Sequence, residues 1–242
     1  HFMIKEIHEQ PAAIRQCLTG RLLKDGTVRL PETFSENDWK NFERIIIVSC
    51  GTAYHAGLLG EYMLESLVRI PVEVVFASEF RYNNPILREK DLVIVISQSG
   101  ETADTLAGLR LAKESGIKTL GIVNVVGSSI AREVDAVLYT QAGPEICVAS
   151  TKAYTAQAAV LALLTLYLAH LHNADREKIA RMTAELQRLP ELLESALKQD
   201  KRIEKISKEI FGAPLMFFLG RGADAAVAME GALKMKEIAY IP

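Results

Sequence analysis

The stretch Asp91-Leu-Val-Ile-Val-Ile-Ser97-Gln-Ser99-Gly-Glu-Thr102-Ala-Asp-Thr105 carries the clearest indication of the fold. Its apolar, β-branched run ends at a group of hydroxyl side chains around a glycine. Apolar residues then recur at helical spacing, at Leu106, Leu109, Leu111 and Ala112. This order predicts a buried parallel strand, a tight turn and a helix that begins at the turn.

The same turn predicts an anion site. The first amides of a helix have no partners within it, and the helix dipole makes that end partly positive. Ser97, Ser99 and Thr102 add three hydroxyls, which together with the amides suit a phosphate group. The alternative is that these residues only cap the helix, which stabilises it by about 1 kcal/mol. Because a cap needs one hydroxyl, the presence of three favours phosphate binding.

Four further short, β-rich segments lie at 45–48, 72–76, 119–124 and 136–140, and helical stretches separate most of them. Alternating strands and helices predict a doubly wound, flavodoxin-like α/β fold, with a parallel sheet between two helical layers. Ligands of such sheets bind beyond the carboxyl ends of the strands. We therefore expect the turns after Val48, Ile96 and Asn124 to lie along one edge of the sheet.

The domain organisation is predicted from changes in sequence texture. Residues 1–43 are expected to form leader helices, one of them beginning at Pro11, and 44–172 the first α/β domain. An amphipathic helical connector should follow at 173–212, interrupted at Pro190. Residues 213–242 repeat the order of strand, glycine turn and helix seen from Ile45, which predicts the truncated start of a second such domain. We therefore expect the chain to be a fragment of a longer protein.

Composition narrows the functional classes. The 242 residues carry a formal net charge of -2, which gives no reason to expect a nucleic acid or membrane partner. Cys17, Cys50 and Cys147 form no C-x-x-C pair, so a disulfide framework or zinc site is not expected and a cytoplasmic location fits. The apolar run at 158–169 is shorter than the ~20 residues of a membrane span. It predicts a buried helix or a subunit contact.

Two further motifs leave alternatives open. Lys234 and Glu237 are three residues apart on a predicted helix and share a face. They could form a weak surface ion pair, or an acid-base carboxylate with a cation that tunes it. Ser150 and Thr151 could cap the apolar helix that follows them, or they could contact a ligand.

Four segments together resemble the glucosamine-6-phosphate synthase family, in the isomerase half that consists of two sugar-isomerase (SIS) domains. The resemblance covers the whole chain, in the order Lys5-Glu-Ile-His-Glu-Gln-Pro, Ser97-Gln-Ser-Gly-Glu-Thr-Ala-Asp-Thr, Val148-Ala-Ser-Thr-Lys-Ala-Tyr-Thr and Glu230-Gly-Ala-Leu-Lys-Met-Lys-Glu-Ile. It implies that 44–172 is the first SIS domain and that 213–242 begins the second.

The resemblance also implies a role for each matching residue. Phosphate would be bound by Thr52, Ser97, Gln98, Ser99 and Thr102. The sugar chain would contact Val148 and Ser150, and Glu237 would move a proton between C1 and C2, with Lys234 beside it. The family usually has a serine after the threonine of the first turn, whereas this chain has Ala53, which would weaken phosphate binding slightly.

The implied reaction converts fructose 6-phosphate and ammonia to glucosamine 6-phosphate without a metal or other cofactor. The family's glutaminase domain, ring-opening histidine and Schiff-base lysine lie outside this chain, so we expect the chain alone to be inactive. The resemblance further suggests a homodimer. The alternatives are a glucosamine-6-phosphate deaminase or deglycase, and a non-catalytic SIS module that senses sugar phosphates.

Overall fold

A computed structural model describes residues 1–242 and contains one five-stranded parallel sheet. Its strands, in the spatial order β2-β1-β3-β4-β5, are β1 (Arg44–Ser49), β2 (Val72–Phe76), β3 (Asp91–Ser97), β4 (Lys118–Val123) and β5 (Ala136–Tyr139). Every neighbouring pair is parallel. This order is that of a flavodoxin-like doubly wound sheet, as the sequence predicts.

Ten helices accompany the sheet. They are α1 (Phe2–Leu18), α2 (Glu36–Asn41), α3 (Gly51–Leu67), α4 (Ala77–Tyr82), α5 (Ala103–Glu114), α6 (Ser129–Glu133), α7 (Lys152–Leu171), α8 (Arg176–Leu197), α9 (Asp200–Ile210) and α10 (Ala223–Ala239). The domain boundaries at 43, 172 and 212 stay predictions.

The two faces of the sheet bury separate cores because side chains alternate along each strand. In β3, Leu92, Ile94 and Ile96 face the larger core, which also includes side chains of α1, α3 and α7. Val93 and Val95 face the smaller core beside α4, α5 and α6. The sheet is therefore covered on both faces, and its accessible edge for a ligand is the carboxyl end of the strands.

Helix α7 lies at the centre of the larger core. By length and composition it is apolar enough to be a candidate membrane span, but 67% of its apolar window is buried within the fold. It packs against α1, α3 and α8. The prediction of a buried helix is confirmed, and the suggestion that this helix forms a subunit contact stays a prediction.

Two predicted helix boundaries are wrong. Pro11 lies inside α1 and Pro190 lies inside α8, rather than at a helix start and a helix break. Both prolines are buried, and α1 packs against α8. Burial of the helix faces offsets the ~3 kcal/mol that an interior proline costs.

The strand predicted at 215–219 does not form. This segment has no strand pairing, and Leu215, Phe217 and Leu219 are exposed. An extended segment becomes a strand only where another strand accepts its backbone hydrogen bonds, and none of the five strands does so here. The helix predicted after it is present as α10, which packs against α3.

Candidate functional site

A cavity of about 250 Å³ lies at the carboxyl ends of β1 and β3. Eight of the nine predicted site residues line it, namely Thr52, Ser97, Gln98, Ser99, Thr102, Val148, Ser150 and Glu237. The ninth, Lys234, donates a hydrogen bond to Thr52 Oγ1 at 2.9 Å. The fold therefore brings together residues that are up to 185 positions apart in the sequence, from Thr52 to Glu237.

The hydroxyl cluster, which we define as Ser97, Ser99 and Thr102, shapes the turn before α5. Ser97 Oγ accepts the Gly100 amide at 3.0 Å and lies 3.0 Å from Thr102 Oγ1. Ser99 Oγ accepts the Glu101 amide at 3.2 Å. None of these hydroxyls caps α5: its N-cap residue, Thr102, makes no capping hydrogen bond to the backbone of the helix. The capping alternative is therefore wrong for this turn.

A second helix begins at the same cavity. Helix α3 starts directly after β1, and its N-cap residue, Cys50, also makes no side-chain cap. Thr52 and Ala53 in its first turn line the cavity. Two uncapped helix N-termini thus lie at one cavity, where their dipoles and free amides favour an anion.

Lys234 and Glu237 from α10 form an ion pair at the mouth of this cavity. Lys234 Nζ lies 2.5 Å from Glu237 Oε2, and only 18% of the lysine side chain is exposed. Because Lys234 also contacts Thr52, the pair connects α10 with the first turn of α3. The pair is partly at the surface, since the Glu237 side chain is 40% exposed, but Lys234 links it to the site.

Sequence reasoning missed the residues behind this pair. The buried Glu230 accepts a hydrogen bond from Thr52 Oγ1 at 3.0 Å, and its other oxygen lies 2.7 Å from His55 Nδ1. Lys234 Nζ is 3.4 Å from Glu230 Oε1. The spacing of Glu230, Lys234 and Glu237 along one helix face was available as a signal. Its connection to His55 depends on the packing of α10 against α3, which spacing does not reveal.

The segment at 143–151, which we call the 143–151 loop, carries Val148 and Ser150 to the cavity. Ser150 Oγ donates to Glu145 Oε2 at 2.8 Å. Glu145 Oε1 accepts the amides of Thr151 at 2.9 Å and Ala153 at 3.1 Å, so this glutamate caps α7. Thr151 is the N-cap residue of α7, but neither its side chain nor that of Ser150 makes the capping hydrogen bond. Glu145 is a second residue that sequence reasoning missed.

Comparison with known proteins identifies the family. The sequence pattern of the SIS domain family matches residues 40–167, more than half of the chain. The chain belongs to the SIS domain family. It is 53% identical to the glutamine-fructose-6-phosphate aminotransferase (isomerizing) of Caldanaerobacter subterraneus subsp. tengcongensis and 51% identical to that of Clostridium acetobutylicum, over 100% of this chain in both cases. It spans 40% of the length of each relative.

Two solved structures share the architecture of this SIS protein. The C-terminal domain of glucosamine-fructose-6-phosphate aminotransferase from Francisella tularensis matches with a TM-score of 0.93 and 42% identity, over 100% of this chain and 68% of that chain. Glucosamine-6-phosphate deaminase from Thermotoga maritima matches with a TM-score of 0.72 and 23% identity, over 98% of this chain and 67% of that one. The second likeness concerns the fold alone.

A buried polar residue of α7 completes the wall of the SIS cavity. Gln157 of α7 lines it, and its Oε1 has no hydrogen-bond partner within the protein. Tyr154 lies three residues earlier on the same helix. Its burial raises the pKa of its hydroxyl to about 12, and the negative charge of Glu230 adds a smaller effect. The Tyr154 hydroxyl therefore stays protonated at neutral pH, and the unpaired Gln157 oxygen is available to a hydroxyl group of a ligand.

The site brings anion donors and a carboxylate together at one cavity. No group of three or more His, Cys, Asp or Glu side chains is arranged to hold a metal ion. The arrangement can hold a phosphate by the hydroxyl cluster and the helix N-termini. Glu237, beside Lys234, is then available for proton transfer.

Proposed function

We propose that this chain binds fructose 6-phosphate and supplies the proton-transferring carboxylate of the isomerase half of a glutamine-fructose-6-phosphate aminotransferase. The intact enzyme would convert the sugar phosphate and ammonia to glucosamine 6-phosphate. The observation that carries the proposal is that two uncapped helix N-termini, the hydroxyl cluster and the Glu237 carboxylate, which is paired with Lys234, meet at one cavity.

Phosphate would bind at the turn before α5. Ser97, Ser99 and Thr102 offer hydroxyl donors, and the first amides of α3 and α5 add partial positive charge. Thr52 already donates to Glu230 and accepts from Lys234, so its hydroxyl must turn before it can donate to phosphate. Ala53 provides no hydroxyl, so the neighbouring donors supply more of the affinity.

Glu237 would act on the carbons distant from phosphate. Condensation of ammonia with the C2 ketone releases water and leaves an imine. Removal of a proton from C1 and its return to C2, with transfer of the C1 hydroxyl proton to the imine nitrogen, then leaves the aldehyde at C1 and the amine at C2. Glu237 would carry that proton, and Lys234 Nζ, 2.5 Å from Glu237 Oε2, would hold the carboxylate in place. Phosphate binding positions the reacting carbons.

The proposal includes the partners of the intact protein. Ammonia would come from a glutaminase domain acting on glutamine, and the functional assembly would be a homodimer in the cytoplasm. All three cysteines are free, as expected in a reducing compartment. A deaminase or a sensing module would share the phosphate site, but a sensing module has no need for Glu237.

The substitution Glu237→Gln in the full-length protein tests the proposal. It removes the base and keeps the shape of the side chain, so we expect kcat to fall about 10²- to 10⁴-fold. Affinity for inorganic phosphate should change less than about twofold, because the hydroxyl cluster is unaltered. The measurement is steady-state formation of glucosamine 6-phosphate together with phosphate binding by calorimetry.

The matched control is Glu204→Gln, which makes the same charge change on α9 at an exposed i,i+4 pair with Lys208. We expect it to leave kcat unaltered. Wild-type turnover in the Glu237→Gln protein would contradict the proposed role and would favour the non-catalytic alternative.

A further inference from the structure

Helix α1 contacts the 143–151 loop through a buried carboxylate. Glu6 is 3% exposed, and its Oε1 accepts the Ile146 amide at 2.7 Å. The Cys147 amide lies 3.3 Å from Glu6 Oε2 and 3.4 Å from Oε1. No Lys, Arg or His side chain forms an ion pair with Glu6 among the salt bridges of the protein. Its charge is therefore satisfied by backbone amides of the loop.

Other side chains of the N-terminal segment contact the same stretch of chain. Lys152, which is 3% exposed, lies 2.6 Å from Glu9 Oε2, and its hydrogen bond lowers the pKa of Glu9. The Cys17 thiol lies 2.6 Å from the Thr140 carbonyl oxygen. Burial raises the pKa of Cys17 to about 12, so the thiol keeps its proton and donates. Side chains of α1 thus contact the chain at both ends of the segment between β5 and α7.

The loop needs this support because residues 141–150 form neither helix nor strand. Backbone amides in such a segment have no regular partners, and a buried amide left unpaired costs free energy. Glu6 supplies acceptors to two consecutive amides, directly before Val148. Loss of Glu6 would therefore free the part of the loop that reaches the cavity, while the hydroxyl cluster would keep its own hydrogen bonds.

We propose that Glu6 is a positioning residue, which holds the 143–151 loop so that Val148 and Ser150 face the sugar chain of the substrate. This inference rests on the proposed function, in which those two residues contact the sugar. It assigns to α1 a direct influence on sugar recognition, separate from phosphate binding. A displacement of α1 would change the affinity for the sugar portion first.

Amide hydrogen exchange of the full-length protein without ligand tests the positioning role directly. We expect Glu6→Ala to speed exchange in a peptide covering 143–151 about tenfold, and to leave a peptide covering 97–106 unchanged. Glu6→Gln keeps one acceptor oxygen and should restore most of the protection. Lys5→Ala, which removes an exposed charge from the same turn, is the matched control.

Binding measurements on the same variants test the consequence for recognition. Glu6→Ala should weaken fructose 6-phosphate binding about tenfold and change inorganic phosphate binding less than twofold. Unchanged exchange at 143–151, or an equal rise in exchange throughout the chain, would overturn the inference. Failure of the wild-type protein to bind fructose 6-phosphate would instead contradict the proposed function, which the exchange experiment does not depend on.

Discussion

At the scale of single residues, Gly100 is the backbone position on which the hydroxyl cluster depends. Its φ is 67°, in the region that favours glycine, and a Cβ there would overlap the Ser128 side chain. We expect Gly100→Ala to destabilise the protein by about 2 kcal/mol, from strain and from the clash together. It should also weaken phosphate binding, because the displaced turn carries Ser97, Ser99 and Thr102. Urea denaturation and phosphate calorimetry measure the two effects.

Gly116 provides the control for this prediction. Its φ of 74° is similar, but no atom lies within 4 Å of the position that a Cβ would take. Gly116→Ala should therefore cost only the backbone strain, about 1 kcal/mol, and leave phosphate binding unaltered. Equal effects of the two substitutions on phosphate affinity would contradict the role assigned to the Gly100 turn.

Residues close together in the sequence could be assigned to the candidate site from the sequence, whereas contacts between distant residues could not. The hydroxyl cluster was predictable because its three residues lie within one turn, where local chemistry decides the geometry. Glu230 and His55 are 175 positions apart, and their contact exists only because α10 packs on α3. The role of Glu145 was also not predictable, because nothing in the local sequence distinguishes it from other acidic residues in loops. Its role as the cap of α7 requires the loop to fold back.

At the scale of elements, an ion pair connects the starts of β1 and β3. Arg44 donates to both carboxylate oxygens of Asp91, at 3.0 Å and 2.5 Å, and Asp91 is 1% exposed. Burial alone would raise the pKa of Asp91, but hydrogen bonds from Arg44 and from the Arg88 amide outweigh it and lower the pKa. The pair therefore stabilises the sheet at the edge opposite the candidate site.

This ion pair predicts a pH dependence of stability. A carboxyl group whose pKa is lower in the folded state stabilises the protein above its unfolded pKa of about 3.9, and that stabilisation is lost as pH falls further. Asp91→Asn should cost about 3 kcal/mol at pH 7, because it leaves Arg44 with only the more distant and exposed Glu73 as a charged partner. The difference between variant and wild type should shrink on acidification. Urea denaturation at pH 7 and pH 3 measures it.

Glu43→Gln is the control for Asp91→Asn, because it tests whether the loss of any ion pair at this edge of the sheet lowers the stability to the same extent. Glu43 and Lys90 are close in space, but both side chains are more than half exposed. Solvent screens such a pair, so its loss should cost less than about 1 kcal/mol. A difference between the Asp91→Asn and wild-type proteins that stays constant with pH would contradict the argument.

Predictions of elements succeeded where a local pattern and the tertiary packing agree. All five strands of the sheet were predicted, because each is a short β-rich run between helical stretches and finds a neighbour. Pro11 and Pro190 led to wrong boundaries because burial of α1 and α8 outweighs a local preference. The segment at 215–219 has a strand-like sequence but no pairing partner, which local sequence cannot report.

At the scale of the whole molecule, the residues that stabilise the sheet and the residues of the candidate site lie at opposite edges of the sheet. The Arg44–Asp91 pair lies at the amino ends of the strands, whereas the hydroxyl cluster and the α10 carboxylates lie at the carboxyl ends. Helix α1, outside the sheet, contacts the loop that completes the cavity. Family membership was predictable from four short motifs. The contacts of α1 with the loop were not, because they join segments about 140 residues apart.

Calorimetric titration of the full-length protein with fructose 6-phosphate, with inorganic phosphate as competitor, tests whether the hydroxyl cluster binds the phosphate of the sugar. The comparison uses Ser99→Ala, within the hydroxyl cluster, and Ser115→Ala, at the opposite end of α5, where the hydroxyl only donates to the Leu111 carbonyl. We predict that phosphate displaces the sugar phosphate and that Ser99→Ala weakens binding about tenfold, while Ser115→Ala does not. Binding that phosphate fails to displace, and that Ser99→Ala leaves unchanged, would contradict the account.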